Sequence, residues 1–357
     1  MPRRKQQGAM VTIRDIAGRA GFSPSTVSMV LNDAPLARYI RSSTKRRIEE
    51  VARSLGYRPN QLARSLRSQR NHTVGVMVFD ITDPFCTPIL RGIESGLYQA
   101  SYVPILTDAH NDRGRFERYL EMLLERRIEG LVVIANWLFV DINVLADLEK
   151  RSIPTVVIGR RLDTDSISSV MVDNEAGATM ALEHLYKLGH RKIAFIRGPK
   201  RIVDSAPRWH GVRSFARSAG LRINPNLVTE LPDTSHPTEA FEAACHLTEE
   251  MLRRHRSFTA LMAFDDISAL GALRALIKAG IKVPEQCSII GFDDTAPAAL
   301  SAPPLSTVRQ PMETMGTTAV QIVVDAIDSS LEKRHNGVFH LRLSPELIVR
   351  DSTRAKS

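Results

Sequence analysis

The sequence predicts a two-part molecule. An N-terminal all-α helix-turn-helix headpiece with a hinge helix precedes an α/β core of two lobes built on parallel sheets. Three observations predict this. Residues 1–70 hold 15 Lys+Arg against 4 Asp+Glu, whereas residues 71–357 hold 33 against 35, so the net charge of +9 comes from the first fifth of the chain. Within that basic part, three short apolar stripes recur at helical spacing. From about His72 onward, short apolar runs alternate with helical stretches, in two groups.

The composition excludes several classes. Hydrophobic residues make up 43% of the 357 and charged residues 24%, ordinary for folded soluble domains, so wholesale disorder is excluded. Cys86, Cys245 and Cys287 are far apart and form no CxxC pair, which argues against a disulfide framework and a zinc site. No apolar run approaches about 18 residues, so no membrane span is expected. The start of the chain, a basic arm over 1–10, lacks the apolar stretch of a secretory signal, and the expected compartment is the cytoplasm.

The basic segment reads as a headpiece over 11–58. Ile16, Ala17 and Ala20 share one face of a first helix. Gly21-Phe22 breaks it, glycine suiting a left-handed turn. Ser23 is a good N-cap and Pro24 suits the first helical position of a second helix, whose apolar face is Val27, Val30 and Leu31. After a loop, Ser42 and Ser43 are candidate caps for a third helix, with the stripe Ile48, Val51, Ala52 and Leu55. A solvated basic tail has no reason to carry three capped stripes. The short turn between the first two helices matches a helix-turn-helix, whose second helix enters the major groove of DNA.

The run Val11-Thr-Ile-Arg-Asp-Ile-Ala-Gly-Arg-Ala-Gly-Phe-Ser-Pro-Ser-Thr-Val-Ser-Met-Val-Leu-Asn32 resembles the DNA-binding headpiece of the LacI/GalR family, and Leu55-Gly-Tyr-Arg-Pro-Asn-Gln-Leu-Ala-Arg-Ser-Leu66 resembles that family's hinge. The resemblance implies a recognition helix over about 24–31. Base-reading positions fall on Pro24, Ser25 and Met29; phosphate-facing positions fall on Thr12, Ser23, Thr26, Ser28 and Asn32. Small hydroxyl side chains suit close approach to phosphate oxygens, which sets register without reading sequence. Capping alone also accounts for Ser23, and a solvated helix surface for Thr26 and Ser28.

Two departures from the family pattern stand out. Met29 replaces the usual arginine, which can bind guanine bidentately; methionine instead suits contact with a thymine methyl. The loop Asp33–Thr44 is about three residues longer and carries Arg38 and Arg41, which are expected to add backbone contacts. In the hinge over 59–71, Pro59 can start a short helix at 60–67, with Leu62, Ala63 and Leu66 on one face among arginines. An amphipathic connector is the plainer reading. The resemblance implies minor-groove contacts by Asn60, Ala63 and Leu66, with Leu66 as a wedge between base pairs.

The core is expected over 72–351, with a tail at 352–357. Apolar runs at 73–79, 103–107, 130–134, 153–158, 192–197, 260–264 and 288–292 alternate with helices at 88–100 and 111–127, the pattern of βαβ units. Asp80–Cys86, Val172–Gly177, His184–Ile196, Gly291–Asp294, Pro304–Gln310 and Ser344–Asp351 are similar to family landmarks. They imply a type I periplasmic-binding-protein-like core whose chain crosses between lobes three times. The lobes are placed at about 72–172 with 303–333, and 173–302 with 334–351. A small-molecule effector, sugar-like or nucleobase-like, would lie between them, touched by Asp80, Phe85, Trp137, Arg208, Phe264 and Asp293. Arg208 and Asp293 are expected to face each other across the cleft and grip a polar ligand, or simply to bridge the lobes. Phe264 stands where relatives often have a polar residue. Trp137 and Trp209 are either stacking platforms or core.

No metal set, cofactor loop or nucleophile motif is present, so no cofactor and no enzymatic activity are expected. The Asp265-Asp266 and Asp293-Asp294 pairs cannot act jointly if extended, because adjacent side chains then point apart. The implied function is a sequence-specific transcriptional regulator, a repressor, whose homodimer reads double-stranded operator DNA under effector control. The short segment after Asp351 suggests a dimer rather than a tetramer. A solute-binding protein or an α/β enzyme on the same core are the alternatives; the headpiece favours neither.

Overall fold

The structure, a computed structural model, describes residues 11–32, 34–57, 70–135, 153–160, 167–233, 236–255, 257–331 and 337–356. The basic arm, the hinge residues Asn60, Ala63 and Leu66, and Trp137 lie outside them. Contacts divide the chain between Asn71 and His72, and each unit is described by itself.

In the first unit, α1 (Ile13–Ala20) opens on Thr12, whose hydroxyl accepts from the Asp15 amide while the Asp15 carboxylate accepts the Thr12 amide at 2.8 Å. Such a reciprocal cap stabilises a helix start by about 1 kcal/mol. Gly21 ends α1 in the left-handed region, φ 78°, and its amide donates to the Ala17 carbonyl. The helix α2 (Pro24–Leu31) is capped by Ser23, as its sequence predicts. The expected 33–44 loop contains a 3-10 turn at Pro35–Tyr39. The third helix, α3 (Ser42–Ser54), differs from expectation at its start: Ser42 is already helical, Arg41 holds the cap position, and no side chain caps it. Ile16, Ala17, Ala20, Val27, Val30, Ile48 and Ala52 close a small core. Arg47 donates from Nε to the Ala20 carbonyl at 3.2 Å, placing a cation at the negative end of α1.

The second unit has two lobes. The N-lobe sheet runs β11-β5-β4-β3-β1-β2, all parallel: β1 (Thr73–Val78), β2 (Val103–Asp108), β3 (Gly130–Ile134), β4 (Thr155–Ile158), β5 (Ser168–Val172) and β11 (His340–Leu343). Strand alternation sorts β1 cleanly. Val74, Val76 and Val78 pack with Ile89, Ile93 and Leu97 of α4 (Cys86–Gln99) and Met315, Ala319 and Val323 of α11 (Met312–Leu331). Met77 and Phe79 face α5 (Arg113–Glu125) through Phe116, Leu120 and Leu123. Helices α4 and α11 approach so closely that a Cβ on Gly92 would run into the Glu313 carbonyl.

The C-lobe sheet runs β7-β6-β8-β9, also parallel: β6 (Ile193–Arg197), β7 (Val228–Glu230), β8 (Ala260–Met262) and β9 (Ser288–Ile290). Around it lie α6 (Asn174–Lys187), α7 (Ser205–Ser218), α8 (Pro237–Arg254), α9 (Asp266–Lys278) and α10 (Ala296–Leu300). The chain passes between lobes after β5, after β10 (Thr307–Arg309) and between β11 and β12 (Glu346–Ile348). Strands β10 and β12 pair antiparallel.

These crossings correct the expected lobe boundaries. Residues 303–309 belong to the C-lobe, because Ser306 and Arg309 bridge to Ile290 and Asp293, and Leu305 and Val308 are buried in its cores. Residues 340–343 belong to the N-lobe, because β11 adds a sixth strand beside β5. The sequence there is too short and polar, His-Leu-Arg-Leu, to signal a strand by itself.

Candidate nucleic-acid interface and effector cleft

On the headpiece, Pro24 and Ser25 at the start of α2 are exposed, and Met29 is half-buried. The polar residues beside them hold one another in place. The Ser23 and Thr26 hydroxyls lie 2.8 Å apart, the Thr12 hydroxyl donates to Asp15 at 2.7 Å, and Asn32 Nδ2 donates to the Ser28 carbonyl at 2.8 Å and its hydroxyl at 3.2 Å. Ser23 and Thr26 stand at the N-terminus of α2, Ser28 and Asn32 at its C-terminus, and Thr12 at the N-terminus of α1. Arg38 and Arg41 are exposed, with the Arg38 guanidinium over the Tyr39 ring at 4.8 Å.

Between the two lobes of the core lies a cleft holding about 580 Å³ of empty space, open solvent included. Asp83 and Phe85 line it from the N-lobe; Ile202, Asp204, Arg208, Pro237, Phe264, Asp265 and Asp293 line it from the C-lobe, with Gln310 at a crossing. The structure thus brings together Phe85, Arg208, Phe264 and Asp293 of the sequence-predicted set. Arg208 is the hub. Its Nε donates to Asn174 Oδ1 at 2.7 Å, Nη1 to the Phe264 carbonyl at 2.7 Å and Nη2 to Asp293 Oδ1 at 3.3 Å. Its Cζ lies 3.7 Å from the Phe292 ring centroid and 4.7 Å from that of Phe264.

Arg208 and Asp293 therefore do not face each other across the cleft. Arg208 sits on α7 and Asp293 follows β9, so both belong to the C-lobe wall. Asp293 adopts φ 114° and Asp294 φ 60°, a left-handed pair rather than extended backbone. The side chains still diverge: Asp293 accepts from Gln310 Nε2 at 2.6 Å, whereas Asp294 accepts from Arg309 of β10 and from Arg350, just past β12, at 2.7 and 2.5 Å. Asp265 caps α9, and Asp266 is buried, accepting from the Thr295 amide and the Thr307 hydroxyl.

Burial pushes the Asp293 carboxyl well above the usual carboxylate range, against the pull of Arg208. Burial likewise raises Asp204, against Arg208 and Asn174, and lifts Asp266 to about 7. Asp293 and Asp204 thus share one buried guanidinium, at 3.3 and 4.0 Å, whereas Asp266 is held by Thr295 and Thr307.

Asp80 differs from expectation. It does not line the cavity with Arg208; it accepts from the Thr82 amide and hydroxyl at 2.8 and 2.6 Å, from Asn111 at 3.3 Å and from His236 Nδ1 at 3.2 Å. Burial opposes ionisation here, but the bonds from Thr82 and His236 outweigh it and hold the carboxyl below its usual range. Trp209 packs edge-on to Phe195 and under the Arg197 guanidinium, within the C-lobe. Sequence reasoning missed Asn174, Asp204, Gln310 and His236. Asn174 and Gln310 fall inside the quoted landmarks, but nothing in their spacing marks them as partners of Arg208 and Asp293.

The headpiece geometry matches what the comparisons find. Residues 12–60 match the model described as bacterial regulatory proteins, lacI family, and residues 182–353 match a periplasmic binding protein-like domain. The HTH-type transcriptional repressor PurR of Aliivibrio salmonicida (strain LFI1238) is 32% identical over 348 residues, covering 96% of this chain and 99% of PurR. The chain belongs to the lacI family. The HTH-type transcriptional repressor CytR of Escherichia coli (strain K12) is 30% identical over 352 residues, covering 98% of each. Among solved structures, the Lac repressor bound to ONPG in its repressed state has a TM-score of 0.81 at 26% identity, covering 97% of this chain and 100% of the repressor. As a lacI-family member this chain is a DNA-binding transcriptional regulator, with a helix-turn-helix domain and a two-lobed core. Among the described residues no helix is long and apolar enough to cross a membrane.

Proposed function

We propose that the protein is a repressor that binds double-stranded operator DNA as a homodimer and releases or tightens it in response to a small effector held between the core lobes. The observation that carries this reading is the interlobe cavity, closed by an N-lobe phenylalanine, Phe85, against a C-lobe wall of Arg208, Phe264 and Asp293. Two ring faces and several carboxylates suit a flat or hydroxylated effector that donates hydrogen bonds, sugar-like or nucleobase-like. Arg208 serves chiefly to fix Asn174, Asp293 and the Phe264 carbonyl.

On DNA, Pro24, Ser25 and Met29 read base edges. Thr12, Ser23, Thr26, Ser28, Asn32, Arg38 and Arg41 hold phosphates, and Asn60, Ala63 and Leu66 occupy the minor groove. The named hydroxyls are held in local pairs, so little ordering is lost on contact. The protein works in the cytoplasm and has no catalytic step. A second copy covers the apolar surfaces of the core: Tyr98 of α4 with Val103 and Leu106 of the edge strand β2, and Ile277 and Leu300 beside the groove of Phe241, Leu270 and Leu273. Two headpieces then meet two half-sites. Selecting bound duplexes from a random library tests the reading; a palindromic motif is expected, and failure to enrich any sequence would reject it.

A further inference from the structure

The Asp80 carboxylate and the His236 imidazole come from opposite lobes. Asp80 lies just past the end of β1 in the N-lobe; His236 immediately precedes α8 in the C-lobe, and its carbonyl accepts the Glu239 and Ala240 amides that begin the helix. Their side chains meet at 3.2 Å, with Asp80 at 6% exposure and His236 at 53%. The contact sits at the rim of the effector cavity. Asp80 anchors the loop that carries Asp83 and Phe85, through the Thr82 bonds and the Asp83 amide at 3.3 Å. His236 leads directly into Pro237 and Ala240, which line the facing wall.

We propose that His236 is a positioning residue that latches the two lobes closed through Asp80, so that the closed population and hence effector retention depend on this one bond. Asp80 is suited to the part. Its Oδ1 is fixed by Thr82, while Oδ2 is shared by Asn111 and the imidazole, so the carboxylate stands ready when the lobes close. Opening the cleft must break the bond. The exposed imidazole can be rehydrated, but the buried carboxylate keeps only its N-lobe partners. A half-exposed bond of this kind shifts a two-state equilibrium by about threefold to tenfold. The consequence for effector binding rests on the proposed function, whereas the latch itself does not.

Glu121→Cys in the N-lobe and Arg222→Cys in the C-lobe put spin labels on exposed positions, and the three native cysteines are buried. Labelled full-length chain is diluted with unlabelled chain, and the interlobe distance is read by pulsed electron resonance. In the His236→Ala variant the ratio of short- to long-distance populations is expected to fall about threefold to tenfold. His236→Gln, which keeps a donor, should restore part of it, and Asp80→Asn/His236→Ala should match His236→Ala alone. Equal melting temperatures would exclude misfolding. Unchanged distances in His236→Ala, or a shift in Asp80→Asn without one in His236→Ala, overturn the latch. Loss of operator selection by the unsubstituted protein would instead sink the proposed function and leave the distance result standing.

Discussion

Replacing Arg208 with methionine removes the cation at the centre of the C-lobe wall while keeping an unbranched apolar stem against Phe264 and Phe292. The guanidinium lost is buried, makes three hydrogen bonds and is the nearest positive charge to Asp293 and Asp204. Removing one partner of a buried pair typically costs about 3–5 kcal/mol, because the other charge is left uncompensated. Asp293 already sits above the usual carboxylate range and would rise further, so protonation offers it a partial escape. A group whose folded pKa is raised binds its proton more tightly in the native state. Native stability then falls as pH rises from the unfolded value toward the folded one, by at most about 1.4 kcal/mol per pH unit for one proton. The deficit of Arg208→Met is therefore expected to be smallest at acid pH, where Asp293 is protonated with or without the arginine, and to grow from acid to alkaline pH once the native value of Asp293 in the unsubstituted protein is passed. Urea unfolding of the core, followed by circular dichroism across this range, measures it. A deficit below about 1 kcal/mol at neutral pH, or one that does not change with pH, would refute the reasoning.

Asp266→Asn probes another of the raised carboxyls. With the native value at about 7, its protonated form contributes stability that is lost between about pH 4 and 7. The asparagine variant should show a flatter stability profile over that window, with a total difference of roughly 4 kcal/mol between its ends; an unchanged profile counts against it. Arg38→Ala/Arg41→Ala should reduce the slope of log affinity against log salt by up to about 2 without changing the preferred sequence, as read by anisotropy with labelled duplexes. Met29→Arg should move the preferred base at one symmetric pair of operator positions toward guanine, by about 1–3 kcal/mol, as read by competition between duplexes. Leu66→Ala should weaken operator binding and reduce DNA bending in a gel-shift bend assay; equal mobility would argue against the wedge.

The headpiece was legible because local rules fix it. Ser23 before Pro24, Gly21 after Ala20, and stripes at i, i+3 and i+4 each dictate one turn of structure, and the helices follow them. Ser42 and Ser43 misled because serine serves either as a cap or as a first-turn residue, and only the chain path chooses. In the core, long apolar runs such as Gly130–Ile134 announced their strands. The strand at His340–Leu343 did not, because it is held by pairing with β5 and buries none of its side chains fully, Leu341 and Arg342 being exposed. The cleft was half legible. Arg208, Phe264 and Asp293 come together as their positions suggest, but the lobe to which each belongs is a property of the crossings. That is why the Arg208–Asp293 pair proved to lie within one wall, while Asp80, read as a ligand contact, reaches across to His236 instead.

Control of a DNA-binding dimer by an effector between the lobes can be read directly as operator affinity of the full-length protein, by anisotropy, against a panel of sugars, purines and nucleosides. At least one compound is expected to change operator affinity by about tenfold or more in the unsubstituted protein, and to leave it unchanged once Asp293→Ala removes the cavity carboxylate. A compound whose effect survives that substitution, or DNA binding that no such compound alters, would contradict such control.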